Sequence, residues 1–332
     1  MSDTSAPARV IPDRLPGRAK FWARWETILL VVAVVIFVLN SFASPYFLDP
    51  ASLSLATFNF TEKAMIGFAM ALLVVAGEID LSVASIIAIA STAMGAAATA
   101  GAPTPVLVVI GLGVGVVAGA FNGFIVTRFR VPSIVVTIGT MSLFRGIAYV
   151  VLGDQVYRHY PPDFAWFGQG YVVWVVSFEF FLFLVMAAIF GVVLHLTTFG
   201  RRIYAIGNNP VAARFSGIHV DRIRFLLFVL TGLMSGLASI LLTSRIGSTR
   251  PTIATGFELE AITMVVLGGV NILGGSGTIP GVFIAAFIMG LVTFGLGLLN
   301  VPGIVQSIVT GLLLIVVIAL PIIWRKLRGG RP

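Results

Sequence analysis

Thirteen carboxylates, three histidines and no cysteine are the groups this 332-residue chain offers for acid–base, nucleophilic or metal chemistry. The missing thiol excludes disulfides, thiolate catalysis and cysteine-based metal sites. His159, His195 and His219 are scattered without ligand spacing and read as loop or helix-end positions. Glu78 and Asp80, in Gly77-Glu78-Ile79-Asp80-Leu81-Ser82, stand between two apolar stretches. A carboxylate beside hydrocarbon is costly and normally faces a cavity or a partner. Two readings follow: a cation-coupling pair, or a helix break with Asp80 or Ser82 capping the next helix. The small, apolar residues after Asp80 favour the cap.

Three further constellations could carry function. In Gly119-Ala-Phe-Asn122-Gly123 the small residues permit close helix approach. Asn122 and, further on, Thr137 could hydrogen-bond sugar hydroxyls or simply bond between helices. Glu258-Leu-Glu260 leads into Gly268-Gly269 and Gly274-Gly275-Ser276-Gly277. Without a Gly-Lys-Ser/Thr ending or a preceding soluble strand this is no phosphate cradle, and a tight turn between membrane segments is expected. The third runs from Thr198 through Gly200, Arg201, Arg202, Gly207, Asn209, Pro210, Ala212, Ala213 and Arg214 to Gly217. Here Asn209 can cap, Pro210 can open and Gly217 can close a helix of about two turns. Held between two membrane helices, it suits the docking of a separate protein, although a solvated loop would share the composition.

The elements that position these residues are apolar. Hydrophobic residues make up 58% of the chain and charged ones 10%, against about 25% charged in an ordinary soluble domain. Runs such as 28–43 and 304–324 are apolar all round and approach the roughly 20 residues that cross a bilayer. Helices are expected near 27–43, 63–76, 82–100, 105–127, 133–152, 172–198, 225–243, 258–272, 279–297 and 303–323. The expected fold class is therefore all-α integral membrane, with about ten transmembrane helices. Glycine-rich segments should tilt, break or re-enter, which backbone tolerates only where protein or a water-filled cavity covers it. Residues 1–24 read as a polar N-terminal tail without the marks of a cleavable signal. Residues 25–324 read as the transmembrane domain, with 199–224 an inner loop, and 325–332 as a C-terminal tail. No segment is long enough for a soluble domain, so any nucleotide hydrolysis must come from another chain.

Charge sets the orientation. With the N-terminus inside, 16 of the 21 Lys and Arg residues lie on inner segments, as the positive-inside tendency requires. An even helix number then leaves both termini cytoplasmic. The net charge of +8 is thus a membrane signature; no basic stripe on a soluble domain exists to hold nucleic acid. Val131-Pro132-Ser133-Ile134-Val135 returns as Val301-Pro302-Gly303-Ile304-Val305, once starting an inner-side helix and once an outer-side one. That is the trace expected of an inverted repeat around a central pathway.

Taken together, the motifs resemble the permease family of ribose-type ABC sugar importers, which includes ribose, rhamnose and autoinducer-2 permeases. The stretch 77–85 resembles that family's Gly-Gly-Ile-Asp-Leu-Ser-Val-Gly, with Glu78 in place of a glycine and Ala84 in place of the last one. Asn122–Thr140, Phe199–Ile218 and Glu258–Gly281 match in order and spacing, within a resemblance covering Thr27 to Leu320. It implies two permease subunits (copies or sisters), two ATP-binding subunits and an extracytoplasmic sugar-binding protein, in a bacterial inner membrane. It implies that the loop matching 200–217 carries a coupling helix seated on the ATPase. ATP would be bound by that partner, so no cofactor, metal or catalytic residue is expected here. The coupling residues would be Gly200, Gly207, Asn209, Pro210, Ala212, Ala213, Arg214 and Gly217, and the candidate pathway residues Asp80, Asn122, Thr137 and Glu258. The cargo would be a ribose- or rhamnose-like monosaccharide. Two other classes remain open: an ion-coupled secondary transporter using Glu78 and Asp80, and an ABC permease for branched-chain amino acids or nucleosides. A membrane enzyme lacks a carboxylate–histidine or metal cluster.

Overall fold

The computed structural model describes residues 25–153, 155–312 and 315. Apolar runs fold as helices because, without water, backbone groups can be satisfied only within the segment. The elements are α1 (Trp25–Ala43), α2 (Pro50–Phe58), α3 (Thr61–Val75), α4 (Val83–Thr99), α5 (Thr104–Phe129), α6 (Ser133–Leu152) and α7 (Trp166–Gln169). Then come the hairpin strands β1 (Tyr171–Val173) and β2 (Val176–Ser177), α8 (Phe178–Leu196), α9 (Thr198–Asn208) and α10 (Pro210–Phe215). The chain continues with α11 (Val220–Ile246), α12 (Phe257–Leu267), α13 (Ile279–Leu298) and α14 (Gly303–Leu312).

Six helices among the described residues are long and apolar enough to cross a membrane: α1, α5, α6, α8, α11 and α13. The protein is a multi-pass helical membrane protein. The other expected spans fall on shorter or broken elements. α2 and α3 form a pair bent by 45°, and α4 has 17 residues. α12 has only 11 before Gly268 ends it, and the last expected helix is described to Leu312. The expected helix over 172–198 starts six residues late, at Phe178. Residues 171–177 pair as an antiparallel hairpin because the Ser177 hydroxyl accepts from the Phe180 amide and so fixes the helix start there.

The core is α3, nearly every residue of which is buried, wrapped by α8, α9, α11, α12 and α13. α5 lies along α11 at the distance of touching backbones. A Cβ on Gly115 would overlap the Gly232 carbonyl, and one on Gly119 the Phe228 carbonyl, the close approach that small residues permit. α11, of 27 residues, spans about 40 Å at 1.5 Å per residue. It separates an end carrying Arg128, Arg130, Arg201, Arg202, Arg214, Arg222 and Arg224 from an end carrying Lys63, Arg245 and Arg250. The two Val-Pro copies precede the starts of α6 and α14, at opposite ends of the bundle.

Candidate functional site

Three regions hold the polar chemistry. The first is the turn between α3 and α4. Asp80 Oδ1 accepts from the Ser82 amide at 2.8 Å and from the Ser82 hydroxyl at 2.6 Å. The Asn122 amide nitrogen donates to Ser82 Oγ at 2.7 Å, and the Ile79 amide donates to Ser133 Oγ at 3.2 Å. Thr137 Oγ1 donates to the Ile79 carbonyl at 3.5 Å. Asp80, Ser82, Asn122 and Thr137 are fully buried, so α4, α5 and α6 are joined by one polar node. Asp80 Oδ2 and Asn122 Oδ1 have no partner among the described residues. Beside the node, Glu78 pairs with Arg224 of α11 at 3.1 Å. The sequence brings Asp80, Asn122 and Thr137 into one list, and the fold brings them together. Glu258 is elsewhere: it starts α12, accepts from the Gly256 amide at 3.1 Å and feels the Arg145 charge.

The second region is the arginine-rich end, where the expected loop with one short helix is two helices. α9 follows α8 directly, with the Thr197 hydroxyl accepting from the Gly200 amide at 3.2 Å. Gly200 sits so close under the Leu194 carbonyl that a side chain there would overlap it. Gly207 presses on the Val75 carbonyl and the Gly275 amide. Asn209 caps α10, its Oδ1 accepting from the Val211 and Ala212 amides at 3.0 and 2.9 Å. Pro210 occupies the first turn, where its missing N–H costs nothing. Gly217 ends the unit at φ +80°, a conformation that favours glycine. Within α10 only Ala213 is buried. Arg214 pairs with Asp221 at 2.5 Å. Val211 and Phe215 stand 60% and 90% exposed.

The glycine-rich stretch after α12 is folded against α9. The Gly275 amide donates to the Val75 carbonyl at 2.9 Å, Tyr204 Oη to the Gly277 carbonyl at 2.6 Å, and the Asn208 side-chain amide to the Gly275 carbonyl at 3.1 Å. Burial raises the Tyr204 phenol above its usual value, so it stays a neutral donor. This irregular backbone is covered by protein, the condition under which a membrane fold tolerates it.

The third region, at the far end of α11, was not singled out in the sequence. Arg245 makes a bidentate pair with the fully buried Glu62, at 2.9 and 3.1 Å, and Lys63 pairs with Glu260 at 2.5 Å. Arg145 donates through Nη1 to the Pro251 and Ile253 carbonyls at 2.7 Å each. Thr249 is held by Ser91 and Tyr160 hydroxyls, with the Tyr160 phenol pushed up to about 12 by burial. Between these groups lies an open cavity of about 400 Å³. The signal available in the sequence was the recurrence of charge at the ends of apolar runs: Glu62, Lys63, Arg245, Arg250 and Glu260.

A bundle of membrane-crossing helices with no soluble domain among the described residues, a packed polar node and a helical platform at its basic end defines a transport-type membrane component. Residues 53–318 match the family described as branched-chain amino acid transport system / permease component, and the chain belongs to that permease family. It is similar to the ribose import permease protein RbsC of Bacillus subtilis (strain 168), 33% identical over 294 residues, 88% of this chain and 90% of the relative. It is similar to the L-arabinose transport system permease protein AraH of Escherichia coli (strain K12), 32% identical over 316 residues, 95% of each. The autoinducer 2 import system permease protein LsrD of Enterobacter sp. (strain 638) is 31% identical over 300 residues, 89% of this chain and 91% of the relative. No solved structure matches.

Proposed function

We propose that this chain is the membrane-spanning permease subunit of an ATP-binding-cassette importer that takes up a monosaccharide, in a bacterial inner membrane with both termini cytoplasmic. The observation that carries the reading is the α9–α10 platform. It stands at the arginine-rich end, is bonded through Asn208 and Tyr204 to the loop beneath α12, packs through Gly207 on the end of α3, and exposes Phe215 and Val211. An exposed phenylalanine on a short rigid helix is the anchor a partner groove takes. The partner is an ATPase subunit, which binds the ATP, so the permease itself does no covalent chemistry. A second permease copy or sister and an extracytoplasmic sugar-binding protein complete the transporter. The full-length sugar-importer relatives support that cargo.

The physical mechanism is a two-state repacking. Binding of ATP favours one arrangement of the ATPase subunits, and the differential affinity for the two states supplies the driving free energy. Displacement at α10 passes to α9 and, through Gly207 against Val75 and Arg224 against Glu78, to the turn holding Asp80. Asp80, Asn122 and Thr137 then face the pathway, where Asp80 Oδ2 and Asn122 Oδ1 accept from sugar hydroxyls. Glu258 acts from the other end, beside Arg145, in ordering the start of α12.

The test is uptake of labelled D-ribose and L-arabinose into vesicles carrying the chain with its ATPase and binding-protein partners. ATP-dependent accumulation that vanishes without the ATPase is expected. Accumulation by the chain alone, abolished by collapsing the ion gradient, would establish the ion-coupled alternative instead.

A further inference from the structure

We infer that the cavity between α3, the end of α11 and the 248–254 loop is a sugar-holding site at the outer mouth of the permease. The inference rests on the reading of the chain as a sugar importer and names the place where the sugar is first held.

The walls are fixed. Arg145 pins the loop through two backbone carbonyls, Thr249 is tied to Ser91, and Arg245 is clamped to Glu62. Lys63 is occupied by Glu260, and its ammonium lies 4.7 Å from the centre of the Phe257 ring. What remains inside these supports is chemically distinct. Asn59, Ser248, Arg250 and Thr252 all line the cavity, and none of their side chains has a hydrogen-bond or ion-pair partner among the described residues. They offer an amide, two hydroxyls and a guanidinium, groups that between them both donate and accept. Phe58 and Phe257 supply the apolar wall.

A monosaccharide needs this combination: several hydroxyls that donate and accept, around a ring with an apolar C–H face. The volume of about 400 Å³ falls in the roughly 300–1,000 Å³ range of small-ligand pockets. The carboxylates beside the cavity, Glu62 and Glu260, are paired with Arg245 and Lys63, so the free groups on its wall are the amide, the hydroxyls and the guanidinium. The cavity also lies at the end opposite the arginine-rich platform, where a binding protein would release its sugar.

The chain has no native cysteine, so single cysteines report directly. Ser248→Cys and Thr252→Cys are placed in the full-length protein in right-side-out vesicles without the binding protein, and reacted with a membrane-impermeant anionic methanethiosulfonate. Trp174→Cys, in the hairpin and 82% exposed before substitution, is the control. Both cavity cysteines should react, and whichever of D-ribose and L-arabinose the intact transporter takes up should slow them. At a sugar concentration about ten times Kd the slowing is about tenfold, because only the empty cavity reacts. The Trp174→Cys rate should not change, and modification at 248 should block uptake by the assembled transporter. Sugar-independent labelling of both cavity cysteines across the range that saturates uptake would overturn the site while leaving the importer reading intact. An unmodified parent that takes up neither sugar in an ATP-dependent way would instead overturn the importer reading, and this site with it.

Discussion

The two ends of α11 solve different problems with different chemistry. At the arginine-rich end, elements are joined mainly at the backbone, Gly207 on Val75 and Gly275 bonded to Val75, with the Tyr204 hydroxyl on the Gly277 carbonyl and the Glu78–Arg224 pair beside them. The outward surface there carries exposed arginines around one large apolar side chain, Phe215, 90% exposed. At the other end, elements are joined by side-chain ion pairs between residues far apart in sequence, and the unoccupied groups are polar and line a cavity. Backbone junctions transmit displacement because nothing in them can rotate away. Ion pairs and a stapled loop hold a shape. On the proposed reading, the first end is pushed and the second receives.

The contrast can be broken in four places, in decreasing order of expected effect. Arg245→Ala leaves Glu62, whose side chain is fully buried, without its bidentate partner. Removing one member of a buried pair costs about 3–5 kcal/mol, so the purified protein should show the largest loss of thermal stability of the set. Gly207→Ala places a methyl against the Val75 carbonyl, and overpacking of this kind costs about 1–3 kcal/mol. It should lower uptake more than stability, seen as ATP hydrolysis that continues while sugar transport falls. Asn209→Ala removes the cap of α10 at a cost of about 1 kcal/mol; local hydrogen exchange across 210–215 should rise while the bundle's thermal midpoint stays put. Arg214→Ala breaks an ion pair whose side chains are 44% and 46% exposed, and exposed pairs contribute about 0–1 kcal/mol. Stability should be nearly unchanged, and a large drop would mean that α10 is held by charge and not by Ala213 packing.

How much of this was legible follows the range of the interaction. Hydrophobic runs fixed most of the long helices, since span length is a local property. The cap, opening proline and closing glycine of α10 were readable because Asn209, Pro210 and Gly217 act on neighbours two or three residues away. The break at Asp80 was readable for the same reason, since the aspartate bonds Ser82, but the expected cap is not made: no side chain caps the start of α4. The start of α8 was missed because 171–177 is as apolar as the helix it precedes, and only the pairing of β1 with β2 and the Ser177 cap separate them. α9 was absorbed into a loop because its polar face reads as solvated until Val75 and Gly275 cover Gly207. The cavity at the far end of α11 was invisible: Glu62 and Arg245 are 183 positions apart, Lys63 and Glu260 are 197, and no local pattern says that they meet. Glu258 was grouped with Asp80 by residue type alone, and the fold sets it beside Arg145 instead.

The central claim is that α10 is the part on which a separate ATPase pushes, and Phe215→Asp addresses it most directly. At 90% exposure the phenylalanine supports nothing within this chain, so the variant should reach the membrane in normal amount and melt with the parent. In the assembled transporter, ATP-driven sugar uptake should then be lost. Uptake at the parental rate, with the ATPase bound as before, would contradict the account.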